Sequence, residues 1–544
     1  MTQSFEEFTP AQEAILEKFV TNTKDSVFAL YNLPEVIKGA LFSRYSRSTF
    51  GLRSLLLREF VLNDEAANFG EITGFGTQSP HQDQLLAIQK AQSFYDRILD
   101  GYGDDSIGEL GGAHLAVENI SMLAAKAIED CRIGGSPLEK STRYIYFDQK
   151  VRNEYLFHKE AVLMTSAWRN LYLDTCNMLF DTYSRLIPAL TTYMTNKYPR
   201  EAEASKNAYT AAIRAKVLDC VRGLLPSSTL TNVGTFGNGR FYEGLLHKLQ
   251  CHNLTELQEV GKRAYDELVK VLPSFVRRAD VHHKTHVGYA QFQEQMRAEQ
   301  HAIAKLVSSS SYKERESYVK LAASDDDAII KVAAALLYQD THASFEDLLK
   351  YCRSLSEEDL GRILEAASSF REIRRHKSPR ALENAVYTFE FLLDFGAYRD
   401  LQRHRILTQE RQLLTCAHGY YTPQELVESG LEPEYRAAME AAKNAYDIIA
   451  KDFIEEAQYV VPMAFRIRWY GTVNLRALQW ITELRSQAAG HPSYRWAAQQ
   501  MAKRVIEIHP QFERFFRFVD YDGHDIGRLQ QEVRSEKNRQ ESQS

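Results

Sequence analysis

Arg403, His404 and Arg405 stand side by side in the segment LQRHRILTQERQLLT, which runs from Leu401 to Thr415, with Arg399 just before them. Each guanidinium is a planar fork that can donate two parallel hydrogen bonds to one oxyanion. The imidazole between them can donate or accept near neutral pH. The chemistry that suits this triplet is the holding of a phosphate or a similar anion. A solvated helix end would also accommodate three such groups. Other residues of the same kind recur elsewhere. Glu139, Ser141 and Arg143 alternate in PLEKSTRY, and Arg222 precedes LLP. Arg485 follows the Asn474-x-Arg476 triplet and precedes His491 by six residues.

The elements that must position these groups are mostly helical. AYDELVKVLPSFVRRA and ALENAVYTFEFLLDFGAYRDLQRH place apolar residues at three- and four-residue intervals, which predicts helices. TRYIYFD, from Thr142, is β-branched and aromatic and reads as a strand. At 544 residues the chain is too long for one ordinary core. The polar run LVSSSSYKERES, from Leu306, divides it into nearly equal parts.

Those parts carry a repeat. Arg222, Pro226, Asn238 and Arg240 of the first half match Gln458, Pro462, Asn474 and Arg476 of the second, all at an offset of 236 residues. The expected organisation is a first half over 1–300, a helical and polar linker over 301–345, a second half over 346–530 and a disordered tail over 531–544.

A net charge of −6 offers no global field for nucleic acid, so any anion site is a local concentration of Arg and Lys. No aromatic platform or basic stripe accompanies the triplet, and RNA binding is not expected. No run of about 18 apolar residues is present to span a bilayer. MTQSFEEFTPAQEAIL has neither the basic start nor the apolar core of a signal peptide. The six scattered cysteines form no CxxC pair. A cytoplasmic protein with no structural metal is expected.

RHRILTQE, preceded by ENAVYTFEFLLDFGAYRDLQ, resembles the signature of the flavin-dependent thymidylate synthases, RHR-x-x-S-x-N-E-x-S-x-R-Y. TVNLRALQWITELRSQAAGHPSYRW resembles that family's C-terminal block, although there the last Arg and the His are usually four residues apart rather than six. The departures are complementary. Arg411, Leu413 and Thr415 stand where the family has Glu, Ser and Arg, and Gln458 stands where it has an arginine. CRIGGSPLEKSTRY of the first half lays onto the same pattern without a gap. It lacks RHR but supplies Glu139, Ser141 and Arg143, and Arg222 stands at the position of Gln458. Conversely Leu249 of the first half stands where the second has Arg485.

The resemblance implies an α+β fold of two related domains in tandem, each helix-rich with a small sheet. It implies reductive methylation of dUMP to dTMP, with methylenetetrahydrofolate as carbon donor and hydride from FAD reduced by NADPH. Arg485 would act on the pyrimidine. Glu139, Ser141, Arg143 and Arg222, with Arg403 and Arg485, would hold the nucleotide. Arg403, His404, Arg405, Asn474 and His491 would cradle FAD. Family members are homotetramers with sites between subunits, so a fused chain implies a homodimer with composite sites. Candidates for an upstream flavin contact are His376, Ser378 and Glu383 in one half, and Ser106 and Glu109 in the other. The altered Leu413 and Thr415 leave open a flavoprotein acting on another pyrimidine nucleotide, or a non-catalytic nucleotide-binding relic.

Overall fold

A computed structural model describes residues 7–45, 48–61, 108–202, 204–307 and 316–541. Most of the serine-rich stretch, and Ser106, lie outside the described residues. In chain order the elements that matter are β1 (Gly112–Ser121), α1 (Met122–Glu129), β2 (Gly135–Glu139), α2 (Lys206–Val221), β3 (Leu230–Asn238) and α3 (Gly239–Gln250). The second half follows with β4 (Tyr318–Ser324), β5 (Val386–Asp394), α4 (Phe395–Leu401), β6 (Thr408–Arg411), β7 (Arg466–Asn474), α5 (Leu475–Arg485), α6 (Pro492–Ile508) and α7 (Leu529–Glu541).

The chain forms two compact units. Unit one collects residues 1–119, 130–139 and 232–308, and unit two collects 120–129, 140–231 and 309–544. Unit one holds most of a three-stranded sheet in the order β1-β3-β2, and unit two holds a four-stranded sheet in the order β4-β5-β7-β6. The fold is thus helix-rich with a small sheet in each half, as expected. The expected linker over 301–345 contains β4, which pairs with β5.

The repeat is written into the hydrogen bonds. Within unit two, Met463 N donates to Leu225 O and Ser227 N to Val461 O, each at 2.9 Å. Exchanging each residue for its partner 236 positions away turns one bond into the other. Ala464 N to Gly223 O (2.9 Å) and Ser228 N to Tyr459 O (3.1 Å) form a second such pair. Pro226 and Pro462 face each other at the centre. Proline has no amide to donate, so the flanking residues carry the ladder. The bridges Phe157–Thr229 and Tyr420–Phe465 also correspond, with Thr229 and Phe465 at the 236-residue offset.

The strand registers agree with the ungapped match between the halves. Ser136 pairs with Phe236 and Glu139 with Val233, while Thr408 pairs with Thr472 and Arg411 with Trp469. With the 236-residue offset on β3 and β7, Glu139 and Arg411 hold equivalent places. Asn238 caps α3 through Phe241 N (2.8 Å), and Asn474 caps α5 through Ala477 N (2.9 Å). Each side chain satisfies an amide that the first helical turn leaves open.

Four local expectations differ from the structure. Val386–Asp394, expected within a helix, is the strand β5, with Tyr387, Phe389 and Phe391 buried in alternation. TRYIYFD is a turn and irregular chain, because Ser141 Oγ accepts from Arg143 N (3.2 Å) and bends the backbone. The tail expected to be disordered carries the helix α7, which has no buried residue and meets α2 near the Ser205–Glu536 hydrogen bond (2.8 Å). The apolar stretch around Leu272 breaks before Pro273, giving Thr255–Leu268 and Pro273–Val276 instead of one helix.

Candidate functional site

Unit two gathers arginines from both halves of the sequence. Arg143, in the turn after Ser141, is 7% exposed. Its Nε and Nη2 donate to the two carboxylate oxygens of Asp219 at 2.6 and 2.7 Å. Nη1 donates to the Tyr494 hydroxyl (2.9 Å) and Nη2 also to Ala489 O (3.1 Å). Asp219 lies in the last turn of α2, three residues before the C-cap Arg222. Burial alone would raise its carboxyl pKa, but Arg143, with Arg222 behind it, holds it below the ordinary range.

Arg222 is 4% exposed, and its Nη1 lies 3.6 Å from Asp400 Oδ2. Its Nη2 is buried without a hydrogen-bond partner. Gly396 makes room for that nitrogen: a Cβ there would lie 3.1 Å from Arg222 Nη2 and 2.9 Å from Asp394 Oδ1. Arg222, Gly396, Asp394, Tyr421 and His491 line one small cavity.

Asp400, in the last turn of α4, is the carboxylate on which these cations converge. Burial would raise its pKa, but Arg222, Arg485, Arg403 and Arg143 together hold it well below the carboxylate range. Arg485 ends α5, where the helix dipole favours a cation. Its Nε donates to His404 Nε2 at 2.8 Å, and its guanidinium lies 5.6 Å from the Tyr494 ring centre. Because Nε2 accepts, the His404 proton resides on Nδ1. Burial and the Arg485 charge push His404 far below its usual pKa, so it is neutral.

His491 is also neutral. It caps α6, with Nδ1 accepting from Ser493 N (3.2 Å) and Nε2 lying 3.3 Å from Asp219 O. Burial and then Arg222 lower its pKa to about 4. The cluster is therefore cationic through its arginines alone. Tyr494 links Arg143, through its hydroxyl, to Arg485, which lies over its ring.

The remaining site candidates divide clearly. Arg403 and Arg405 are exposed. Asn474 Oδ1 is committed to its helix cap. Glu139 is buried at the end of β2 in unit one. Gln458 is engaged on both amide atoms: Nε2 donates to Glu455 O (3.0 Å) and Oε1 accepts from Leu414 N (3.1 Å). Arg485 does not pair with its neighbour Glu483, which Arg371 holds bidentately at 2.5 Å.

Of the upstream candidates, Glu383 binds Arg476 Nη1 (2.6 Å) and Ser378 O accepts from Arg476 Nε (2.8 Å). In unit one Glu109 binds Arg240 Nη1 (2.9 Å), so the Asn-x-Arg arginine clasps an upstream glutamate in each half. Asp400, Tyr494 and Gly396 were missed in the sequence reading. Asp400 had a signal, being the one carboxylate inside YRDLQRHR.

The family model for thymidylate synthase complementing protein matches this chain twice, over residues 67–274 and 320–511. A UPF0159 protein of Chlamydia pneumoniae is 54% identical over 98% of both chains. A flavin-dependent thymidylate synthase of Wolinella succinogenes is 25% identical over 27% of this chain and 78% of its own length. Among solved structures, a UMP/dUMP methylase of Streptomyces cacaoi bound with 5-Br dUMP aligns over 38% of this chain and 98% of its own. Its TM-score is 0.29 and its identity 20%. One relative is thus matched by about a quarter of the chain and the family model by two separate stretches, which is what a fused duplicate requires. The chain belongs to the thymidylate synthase complementing protein family, the flavin-dependent thymidylate synthases, as a tandem-duplicated member.

Proposed function

We propose that the chain carries out the reductive methylation of dUMP to dTMP, using methylenetetrahydrofolate and NADPH-reduced FAD, at a site built from both halves of the sequence. One observation carries the reading. Arg222 and Arg143 of the first half are joined to residues of the second: Arg222 Nη1 lies 3.6 Å from Asp400, and Tyr494 accepts from Arg143 while its ring lies 5.6 Å from the guanidinium of Arg485. Neither half alone has this set. The family membership supports the reaction, and the cationic cluster supports the reading of a nucleotide-phosphate site.

In this reading the unpartnered Nη2 of Arg222 meets the phosphate. Arg143, fixed by Asp219 and Tyr494, adds field rather than free donors. Arg485 stabilises negative charge that develops on the pyrimidine, and His404 aims it by accepting from Nε. The exposed Arg403 and Arg405 fit the pyrophosphate of FAD. His491, with both ring nitrogens engaged, does not fit as a flavin ligand. Bound FAD, reduced by NADPH, would supply the hydride. Two fused chains would form the homodimer.

The test uses the full chain and two single variants. Arg222→Ala should lose dUMP affinity and keep the flavin absorbance. Arg403→Ala should weaken FAD retention. Full dTMP formation in both variants would sink the composite site.

A further inference from the structure

Glu483, two residues before Arg485 on α5, serves a different arginine. Successive helical residues turn by about 100°, so these two side chains leave α5 in different directions. Glu483 holds Arg371, which is 7% exposed, through both carboxylate oxygens at 2.5 Å. The other donors of Arg371 draw its own loop around it: Nε donates to His376 O at 2.8 Å and Nη2 to Arg374 O at 2.9 Å. The loop is completed by Arg374, which lies over the half-exposed Trp480 ring at 5.2 Å, and by the exposed Arg375.

Arg374 and Arg375 line an open cleft of about 600 Å³ together with Ile373 and with Arg534 and Asn538 of α7. Arg534 and Asn538 are four residues apart and share one face of their helix. Among the described residues no carboxylate lines this cleft, and Arg374, Arg375 and Arg534 have no ion-pair partner. Burial pushes the Arg374 pKa down from its ordinary value. Glu483 acts against that fall, but Arg375 and Arg371 reinforce it, and Glu483 is already held by Arg371. Arg374 Nη1 is buried with no acceptor.

Like charges fixed side by side repel, and a bound anion relieves the repulsion. A guanidinium fork fits a phosphate, and three forks from two elements can hold more than one. We infer that this cleft is a second anion site, which takes a ligand carrying two or more phosphate groups, either a free polyphosphate or the phosphates of a nucleotide such as NADPH. Arg534 and Asn538 lie beyond residue 511, where the match to the family model ends. Part of the lining therefore belongs to this chain's C-terminal segment rather than to the part it shares with the family. The inference goes beyond the proposed reaction and does not require that dUMP bind.

The experiment titrates tripolyphosphate into the FAD-loaded full chain by calorimetry, with dUMP present to occupy the other arginine cluster. The wild type should bind one tripolyphosphate per chain. Arg375→Ala and Arg534→Ala change exposed side chains, which leaves stability nearly unaltered. Each should weaken tripolyphosphate about tenfold or more and keep dUMP affinity within about twofold. A wild type that binds no tripolyphosphate overturns the site, and so does an affinity unchanged within about twofold in both variants. Orthophosphate should bind at least about tenfold more weakly than tripolyphosphate, and equal affinity overturns the requirement for two or more phosphates. Displacement of tripolyphosphate by NADPH assigns the ligand to a nucleotide, and failure to displace it assigns a free polyphosphate. A chain that binds tripolyphosphate through Arg375 and Arg534 but binds no dUMP would refute the dUMP reading and leave this site standing.

Discussion

Arg222 and Gln458 occupy equivalent places in the two halves, and the structure treats them in opposite ways. Each sits just before its proline at the centre of the repeat, beside Gly223–Ser228 or Tyr459–Ala464. Gln458 is closed: Glu455 O, Leu414 N and Arg411 Nη1 account for its amide. Arg222 is open: one loose carboxylate at 3.6 Å and one buried nitrogen with no acceptor. A buried donor left unmade costs on the order of 1–3 kcal/mol, a cost that an anion bound at Arg222 would remove. The comparison teaches that the retained corner is the one with incomplete hydrogen bonding. The altered corner has healed over its loss by turning the side chain onto its own backbone.

The largest expected effect breaks this comparison directly. Arg222→Ala should weaken dUMP binding by about 2–3 kcal/mol, roughly 30- to 150-fold, because charge-assisted hydrogen bonds to the phosphate are lost. Gln458→Ala should leave affinity within about twofold. Titration calorimetry on both variants decides the matter, and equal losses would mean that the two corners are not functionally distinct.

A second contrast lies in acid sensitivity. His491 is buried and neutral in the open corner, with its pKa lowered to about 4 by burial and by Arg222. Its folded pKa is below the unfolded value of about 6.5, so the unfolded chain binds the proton more readily. Stability from this group is full above pH 6.5 and is lost as the pH falls toward 4. The loss between pH 7 and pH 5 should be about 2 kcal/mol. Urea unfolding of His491→Asn, which retains a capping side chain, should show that much less change over the same interval. An unchanged pH dependence would remove His491 as its source.

Much of this site was legible in the sequence because its arginines fall at fixed spacings. RHR, the 236-residue offset and the exchange of Ser-x-Arg for Leu413 and Thr415 needed no coordinates. The carboxylates were harder. Asp219 was visible as a neighbour of Arg222, yet it takes Arg143 instead, since i and i+3 residues share a helix face but the guanidinium that reaches the carboxylate comes from a distant turn. Tyr494 gave no signal, because a tyrosine near a helix start is ordinary until two arginines converge on it. The strand β5 was read as helix for a related reason. Its last residues are buried on both faces, and a continuous apolar run has no clear period. The helix α7 shows the converse: QQEVRSEKNRQE has good helix formers without a core face, and composition speaks to burial more than to backbone.

Tyr494 offers a smaller, sharper test of how the open corner is organised. Its hydroxyl accepts from Arg143, while its ring lies under both Arg143 and Arg485 at 5.8 and 5.6 Å. Tyr494→Phe keeps the ring and removes one hydrogen bond. It should cost about 1 kcal/mol in dUMP affinity, roughly fivefold, with kcat nearly unchanged. Tyr494→Leu should lower kcat as well, because Arg485 loses the surface that orients it. Equal behaviour of the two variants would mean that the ring contacts are incidental.

The smallest expected effect comes from trying to reopen the closed corner. Gln458→Arg restores the residue type of Arg222, but the chain around it still offers Leu413 and Thr415 where Ser141 and Arg143 stand in the other half. The new guanidinium would have Glu455 and Arg411 beside it, and Arg411 donates to the Gln412 carbonyl where Arg143 is held by a carboxylate. It would also forfeit the acceptor for Leu414 N, at a cost to stability of about 1 kcal/mol. Calorimetric titration should therefore give the same number of dUMP molecules per chain as the wild type. A doubled stoichiometry would show that one arginine is enough to make a phosphate site at this position, and that the buried, doubly anchored Arg143 is dispensable to it.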